Sequence, residues 1–261
     1  MDENHWFSES CAQAFWDQKE GGPYKRLLAD TIGYAAPRAN ERWLDLGCGG
    51  GQLSDGLWNA SKGTIQELVC LDCAAANAKP IGALSEKHAN GNPQLFRFVH
   101  GDFSHGLDSF PDGHFDGVIS GLSISYAESK DPATGKWNDV AFRALLKDVR
   151  RVLSPTGRFA FSINVPNPKF WRILFQSLNR DLKIRKPLKL ITNALKMQSY
   201  GRWLCREAKR GRFHYLPIDQ LTLRLQEAGF GKVDHTLSYA KQAFVVRAVP
   251  ATAKGEFRRS A

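Results

Sequence analysis

The stretch Leu44-Asp45-Leu46-Gly47-Cys48-Gly49-Gly50-Gly51-Gln52-Leu53-Ser54 decides the fold. An apolar run with an embedded acid stops abruptly at a glycine loop, and the loop opens straight into helix-forming sequence. Without a Cβ, Gly47, Gly49 and Gly51 allow a tight turn and a close approach of backbone to a ligand. A helix starting there aims its free N–H groups at the ligand's negative end. The arrangement is that of a nucleotide-type cofactor site, although the dinucleotide fingerprint puts its third glycine one residue later, where this chain has Gln52. A glycine-rich turn without a ligand is the plainer reading. The elements that follow weigh against it.

Glu67-Leu68-Val69-Cys70-Leu71-Asp72 reads as a second buried strand ending in a carboxylate, about 20 residues past the loop, where a ribose diol is gripped in sheets of this kind. An Asp capping the helix that begins near Ala74 fits the same position. Leu95 to Phe103 forms a third strand closed by Gly101-Asp102-Phe103, a tripeptide that is also an ordinary turn. Phe115 to Gly121 forms a fourth, after the turn Pro111-Asp112-Gly113, so that Ser120 to Tyr126 cross the carboxyl edge of the sheet. A helix is expected from Val140 to Leu153, with Val140, Leu145, Val149, Val152 and Leu153 on its apolar face and a stop at Ser154-Pro155-Thr156-Gly157. Arg158 to Asn164 resumes as a fifth strand. Ile218 to Gly229 reads as a helix with a glycine cap, and Val233–Tyr239 with Ala243–Val249 as a closing strand pair.

The pattern Asp-x-Gly-x-Gly-x-Gly at 45–51, with these elements in this order, resembles motif I and the frame of the class I S-adenosylmethionine-dependent methyltransferases of the methyltransferase-domain 11 and 25 kind. The passage Leu146 to Phe159, Leu-Lys-Asp-Val-Arg-Arg-Val-Leu-Ser-Pro-Thr-Gly-Arg-Phe, is similar to that family's helix-to-fifth-strand passage, with Thr156 in place of a glycine. The resemblance covers about residues 40–165 and 216–249. It implies an α/β fold: a Rossmann-like seven-stranded, mostly parallel sheet with helices on both faces and the last strand antiparallel, an N-terminal helical segment and an inserted helical cap. The expected division is a lid at 1–40, the cofactor-binding domain at 41–165 and 216–250, a basic amphipathic cap at 166–215 and a flexible tail at 251–261. The implied cofactor is S-adenosyl-L-methionine, surrounded by Asp45, Gly47, Cys48, Gly49, Gly51, Asp72, Cys73, Asp102, Phe103 and Ser120. By position, Asp72 inherits the ribose, Asp102 the adenine amino group and Phe103 the flank of the ring. The family's leading helices close over cofactor and substrate, which makes Trp16 and Tyr24, with Tyr126 and Trp171, the substrate-side candidates.

The chain has 261 residues, enough for one sizeable core and an inserted subdomain. Its apolar runs fall short of the ~18 residues that span a bilayer, and Met1-Asp2-Glu3-Asn4-His5 lacks the charge and apolar core of a secretory signal. A cytoplasmic protein is the expectation. The five cysteines have no metal-ligand spacing beyond an isolated Cys70-x-x-Cys73 and read as reduced thiols, with no metal site.

Charge is localised. Between Lys169 and Arg212 there are 13 Lys or Arg and only two acids, Asp181 and Glu207, so this segment carries the whole of the chain's net charge of +10. Phe170, Trp171, Leu174, Phe175 and Leu178 fall on one helical face, and Leu188, Ile191 and Leu195 form a second stripe among lysines. Basic amphipathic helices with tryptophan suit an anionic membrane surface. A lid packing its apolar stripe on the core suits the sequence as well. RNA is the third reading, through cations interleaved with Trp171, Tyr200 and Trp203. Against it, Ser120-Gly121-Leu122-Ser123 lacks the Asn/Asp-Pro-Pro-aromatic signature of enzymes that methylate exocyclic base amines, and no cysteine follows strand four or five for attack on a pyrimidine.

Methyl transfer from a sulfonium needs position and a dry site more than a base. His100, His105, Tyr126 and Glu128 are base candidates through their place at the carboxyl edge. The sequence therefore favours methylation of a small or lipid-like acceptor at oxygen or carbon. Its rivals are an RNA methyltransferase, a noncatalytic S-adenosylmethionine-binding or membrane-associated protein, and a nicotinamide-dependent oxidoreductase, the last disfavoured by Gln52.

Overall fold

The structure, a computed structural model, describes Trp6 and residues 22–169, 171–173 and 199–251. Trp16, the apolar stripes at 174–195 and the tail after residue 251 lie outside the described residues. Helix α1 (Gly22–Ala35) comes first, with Leu27, Thr31 and Ala35 buried at a four-residue spacing. Then follow β1 (Arg42–Leu46), α2 (Gln52–Ala60), β2 (Glu67–Asp72), α3 (Ala78–Ala89), β3 (Phe96–His100) and β4 (Phe115–Gly121). A two-residue hairpin, β5 (Ser129–Lys130) with β6 (Trp137–Asn138), precedes α4 (Val140–Val152), β7 (Leu153–Asn164), α5 (Ile218–Glu227), β8 (Phe230–Ser238) and β9 (Ala243–Pro250).

Seven strands form one sheet in the order β3-β2-β1-β4-β7-β9-β8. β9 alone runs against its neighbours, β7 and β8. The expected sheet, including its antiparallel last strand, is the one observed. Alternation along β1 sets the two faces. Leu44 and Leu46 join the core under α4 and α5 with Leu145, Val149, Leu221 and Leu225. Trp43 points the other way, into the core with Leu57 of α2 and Ile81 of α3. Asp45 shares that second face and accepts a 2.6 Å hydrogen bond from Ser54 of α2.

Three local expectations are corrected. Val140 is 62% exposed and is no part of the apolar face of α4, which buries Phe142, Leu145, Leu146 and Val149 instead. Ser154-Pro155-Thr156-Gly157 is no free turn: β7 starts at Leu153, and the pairing jumps from Phe115↔Leu153 to Gly117↔Arg158, which makes the tetrapeptide a bulge inside the strand. A Cβ on Gly157 would meet the backbone oxygens of Ser154 and Asp116 at 3.0 and 3.2 Å, which explains glycine there. The hairpin β5–β6 has no hydrophobic alternation to announce it. It is made locally, by Asp131 accepting from the N–H groups of Ala133 and Thr134 and by Gly135 at φ +67°.

At the amino edge of the sheet, Trp43, Gly117 and Arg158 lie in register on three adjacent strands. The Arg158 guanidinium sits 4.8 Å from the Trp43 ring, pairs with Glu41 at 2.7 Å and donates to the carbonyls of Ala35 and Ala36 at the end of α1. One buried cation thus ties α1 to the sheet. The indole fills the space over Gly117, where a Cβ would fall 2.4 Å from ring atoms. Gly117→Ala should therefore destabilise the protein by about 1–3 kcal/mol. A thermal melt of the ligand-free protein should show this as a fall of several degrees, and an unchanged midpoint would mean that the indole has room to move.

Candidate functional site

β1 and β4 are neighbours in the sheet, and the chain leaves their carboxyl ends in opposite directions, opening a crevice at that edge. The glycine loop forms its floor. The N–H groups of Gly47 and Cys48 both donate to Leu71 O, at 2.8 and 3.1 Å, so the loop is laid across the end of β2. Gly47 (φ +67°) must be glycine because a Cβ would stand 2.5 Å from Ser123, and Gly51 (φ +81°) because a Cβ would stand 2.4 Å from Leu84 of α3. Around Gly49 the opposite holds: nothing lies within 4 Å of the Cβ it lacks, which leaves its backbone open.

Two carboxylates converge here. Asp72 ends β2, accepting from Gly49 N–H and Ala74 N–H, each at 2.8 Å, so it both shapes the loop and faces the crevice. Burial raises its pKa, and the backbone hydrogen bonds from Ala74 and Gly49 hold the rise back. Asp45 is wholly buried. Its Oδ2 takes the Ser54 hydroxyl, whereas Oδ1 has no hydrogen-bond partner among the described residues. Burial, with a smaller contribution from the Asp72 charge, pushes Asp45 up to about 7. A buried carboxylate oxygen with nothing to bond is unfavourable by itself and favourable beside a cationic donor. The crevice therefore suits a ligand with a positively charged group at Asp45.

The crevice continues into a chamber, together enclosing about 1360 Å³ of empty space with the open mouth included. Asp102 and Phe103, after β3, line the cofactor-loop side. Trp6, Tyr24, Tyr126, Tyr200 and Tyr239 line the rest. Trp6 stacks 4.3 Å from Tyr126, and the Tyr126 hydroxyl meets that of Tyr215 at 3.0 Å. Burial raises both phenols well above their ordinary value and brings Tyr24 up to about 12. All three stay neutral at physiological pH. Asn164, at the end of β7, also lines the chamber, and its buried Oδ1 has no partner. Leu122 does so from a left-handed backbone, φ +59°, fixed by its N–H to Ser162 O at 3.0 Å.

Of the residues expected around a cofactor, Asp45, Gly47, Cys48, Gly49, Asp72, Cys73, Asp102 and Phe103 line this cavity together. Gly51 and Ser120 do not. Gly51 packs on α3, and the Ser120 hydroxyl is spent behind the loop, on Leu46 O at 2.8 Å. Ser123, three residues on, takes the lining position and bonds the same carbonyl at 2.7 Å. Among the substrate-side candidates, Tyr24 and Tyr126 line the chamber, Trp16 lies outside the described residues, and Trp171 is 44% exposed on another surface. Among the base candidates only Tyr126 reaches the chamber. His100 is exposed and bonds Cys73 O at 2.9 Å, His105 is exposed, and Glu128 is committed to Arg212 at 2.9 Å.

Trp6, Ser123, Asn164, Tyr200 and Tyr239 were not anticipated. Asn164 and Tyr239 had a usable signal, since they end or follow β7 and β8, parallel strands whose carboxyl ends share the edge with the crevice. Trp6 and Tyr200 stood out only as aromatics of the leading segment and of the basic insertion, and no periodicity connects them to the sheet.

Among the described residues no helix is long and apolar enough to cross a membrane. No curated protein matches the sequence. The methyltransferase-domain family model matches residues 44–161. In fold, the chain is similar to a methyltransferase dependent on S-adenosylmethionine from Aquifex aeolicus (13% identity, TM-score 0.55, 93% of this chain and 98% of that one). It is likewise similar to a TehB-like S-adenosylmethionine-dependent methyltransferase from Corynebacterium glutamicum (16%, 0.53, 93% and 97%). A third is the PH0226 protein of Pyrococcus horikoshii (19%, 0.54, 94% and 95%). The matched span runs from β1 and its glycine loop to the middle of β7 and holds every carboxylate of the crevice. Residues 44–161 thus match a methyltransferase domain, carried on a fold that S-adenosylmethionine-dependent methyltransferases share.

Proposed function

We propose that the enzyme methylates a small, largely apolar or lipid-like acceptor at an oxygen or carbon atom, and that the aromatic chamber is the acceptor site. The observation that carries this reading is the chamber wall: Trp6, Tyr24, Tyr126, Tyr200 and Tyr239 enclose it beside the crevice, and no Lys or Arg among the described residues lines it. An apolar surround with a few polar atoms selects ligands of matching character. Trp6 comes from the segment before α1 and Tyr200 and Leu204 from the 166–215 insertion, which supports assigning both segments to a cap over the acceptor.

Bound S-adenosylmethionine supplies a methyl group on a sulfonium, open to in-line displacement. Asp45 Oδ1 would take the amino-acid ammonium, its cationic partner. Asp72 would receive the ribose hydroxyls, and Asp102 and Phe103 the adenine. Excluding water is the work of the aromatic wall. The neutral Tyr126–Tyr215 hydroxyl pair and the unpartnered Asn164 Oδ1 orient an acceptor that carries an O–H or N–H; phenols held so far above neutrality act as hydrogen-bond donors and acceptors and not as resting bases.

The reading is tested by incubating the protein with S-adenosylmethionine labelled in its methyl group and three fractions: small molecules, lipid extract and total RNA. Label should enter one of the first two; label confined to RNA would overturn the acceptor class. With the acceptor so found, Tyr126→Phe should lower kcat/KM about fivefold, the loss of one hydrogen bond worth about 1 kcal/mol, and leave cofactor affinity unchanged.

Asp45 gives a pH signature. Pairing with an ammonium requires the carboxylate, so affinity for S-adenosylhomocysteine should rise as pH passes upward through about 7 and level off above it. Calorimetry at pH 6, 7 and 8 checks this, and Asp45→Asn should flatten the profile. Stability of the ligand-free protein runs the other way. The folded state keeps a proton on Asp45 up to about pH 7 that the unfolded chain releases near 3.9, so the contribution of Asp45 to stability is greatest at acid pH and falls by a few kcal/mol as pH rises across that window. Ligand-free Asp45→Asn should therefore melt above the parent at pH 8.

A further inference from the structure

Residues 199–209 are helical, and the two sides of this helix face different things. Tyr200 and Leu204 line the acceptor chamber. On the far side, Arg202, Cys205, Arg206 and Lys209 line a second, open pocket, completed by Pro168, Lys169 and Trp171. Gly201 borders both cavities, so at that point only backbone separates them.

The second pocket is unusual in its charge. Among the described residues four cations line it and no acid does. Arg202 and Arg206 stand one helical turn apart, as do Cys205 and Lys209, and like charges at that spacing oppose each other and the helix. The helix has one acid, Glu207, and it does nothing to relieve this: buried on the other side, it pairs with Arg210 at 3.0 Å and Arg212 at 3.7 Å. Among the described residues no ion pair joins Lys169, Arg202, Arg206 or Lys209 to a carboxylate. Elsewhere among the described residues some cations are matched, as Arg151 is by Asp112 and Asp148, and Lys87 by Asp55, and others such as Lys62 and Lys79 stand singly on the surface; what sets this group apart is that four cations share one concavity. Guanidinium groups present planar forks that fit the oxygens of a phosphate, and a concave setting lets several act on one anion. Beside them the Trp171 indole is 44% exposed, with the Arg172 guanidinium 5.5 Å from its ring.

We propose that the pocket of Lys169, Arg202, Arg206, Lys209 and Trp171 binds a phosphate group, placing a phosphoester or phospholipid headgroup on the outer face of the helix whose inner face walls the acceptor chamber. The site is independent of the methyl-transfer chemistry. It gives the basic insertion a defined anion-binding centre, and it links occupancy of that centre to the chamber through a shared helix.

The test uses the full chain at low ionic strength, where screening is weak. Inorganic phosphate is titrated by calorimetry, and sedimentation is measured with vesicles of phosphatidylcholine alone or mixed with phosphatidic acid. Two double variants are compared: Arg202→Gln with Arg206→Gln in the pocket, and Lys62→Gln with Lys79→Gln, two exposed cations outside its lining that remove the same charge. Binding of S-adenosylhomocysteine and the melting temperature verify that each variant is folded. The expected result is binding that weakens at least tenfold in the pocket variant and less than twofold in the remote one. Binding of free phosphate would assign the pocket to a soluble phosphoester, and binding confined to phosphatidic-acid vesicles to a lipid headgroup; either supports the site. No binding of either probe, or equal losses in both variants, would overturn it.

Discussion

Everything at the carboxyl edge depends on where the carboxylate of Asp72 points. Its two oxygens accept from Gly49 N–H in the loop after β1 and from Ala74 N–H in the chain after β2, so one side chain fixes the relative position of two connections that no strand pairing controls. The loop can adopt the required shape because Gly47 and Gly51 tolerate left-handed backbone against Ser123 and Leu84. Once it is fixed, the N–H groups at the start of α2 and the open face of Gly49 define the crevice. Without this tether only the bonds from Gly47 and Cys48 N–H to Leu71 O would hold the loop to β2, and the start of α2 would be placed less firmly.

Electrostatics divide the molecule by depth. Inside, Asp45 and Asp72 hold negative potential in a buried crevice, and burial itself raises the cost of their charge. Outside, the insertion presents cations that the rest of the chain leaves unbalanced. A helix of about eleven residues separates the two, and Arg212 secures it: the guanidinium bonds Glu128 and lies 4.7 Å from the Trp137 ring and 6.0 Å from that of Trp203, joining the hairpin, the loop after β4 and the helix. Through Arg212, the Oε2 of Glu128 thus anchors the helix that walls the chamber.

The fold was legible because its signals are local and repetitive. Strands β2 and β4 fall on the residues that apolar runs marked. The fold rule pointed to Asp72, the family resemblance to Asp102 and Phe103, and all three line one crevice. Legibility failed where position depends on contacts distant in sequence. Gly51 carries the same motif signal as Gly49 but answers to α3, and Ser120 and Ser123 differ only in how the chain turns after β4. The chamber was the hardest part, since Trp6, Tyr24, Tyr126, Tyr200 and Tyr239 come from separate segments and share no period. The bulge in β7 and the β5–β6 hairpin are set by backbone sterics and a single Asx-type turn, which hydrophobic patterning does not record.

The position of β9 has a consequence for how the chain folds as it is made. β9 is the last strand in sequence, yet it lies between β7 and β8, and residues 165–242 separate its pairing edge on β7 from the strand itself. During synthesis β1 to β4 and β7 can assemble with their helices, but the outer edge of β7 must wait unpaired while the insertion, α5 and β8 emerge. A long, apolar, uncovered edge is the kind of surface on which nascent chains misassociate. The non-local pairing also makes closure of the sheet slow relative to its parallel half. Folding of this enzyme therefore ends at β9, and β8 has no place in the sheet until that strand arrives.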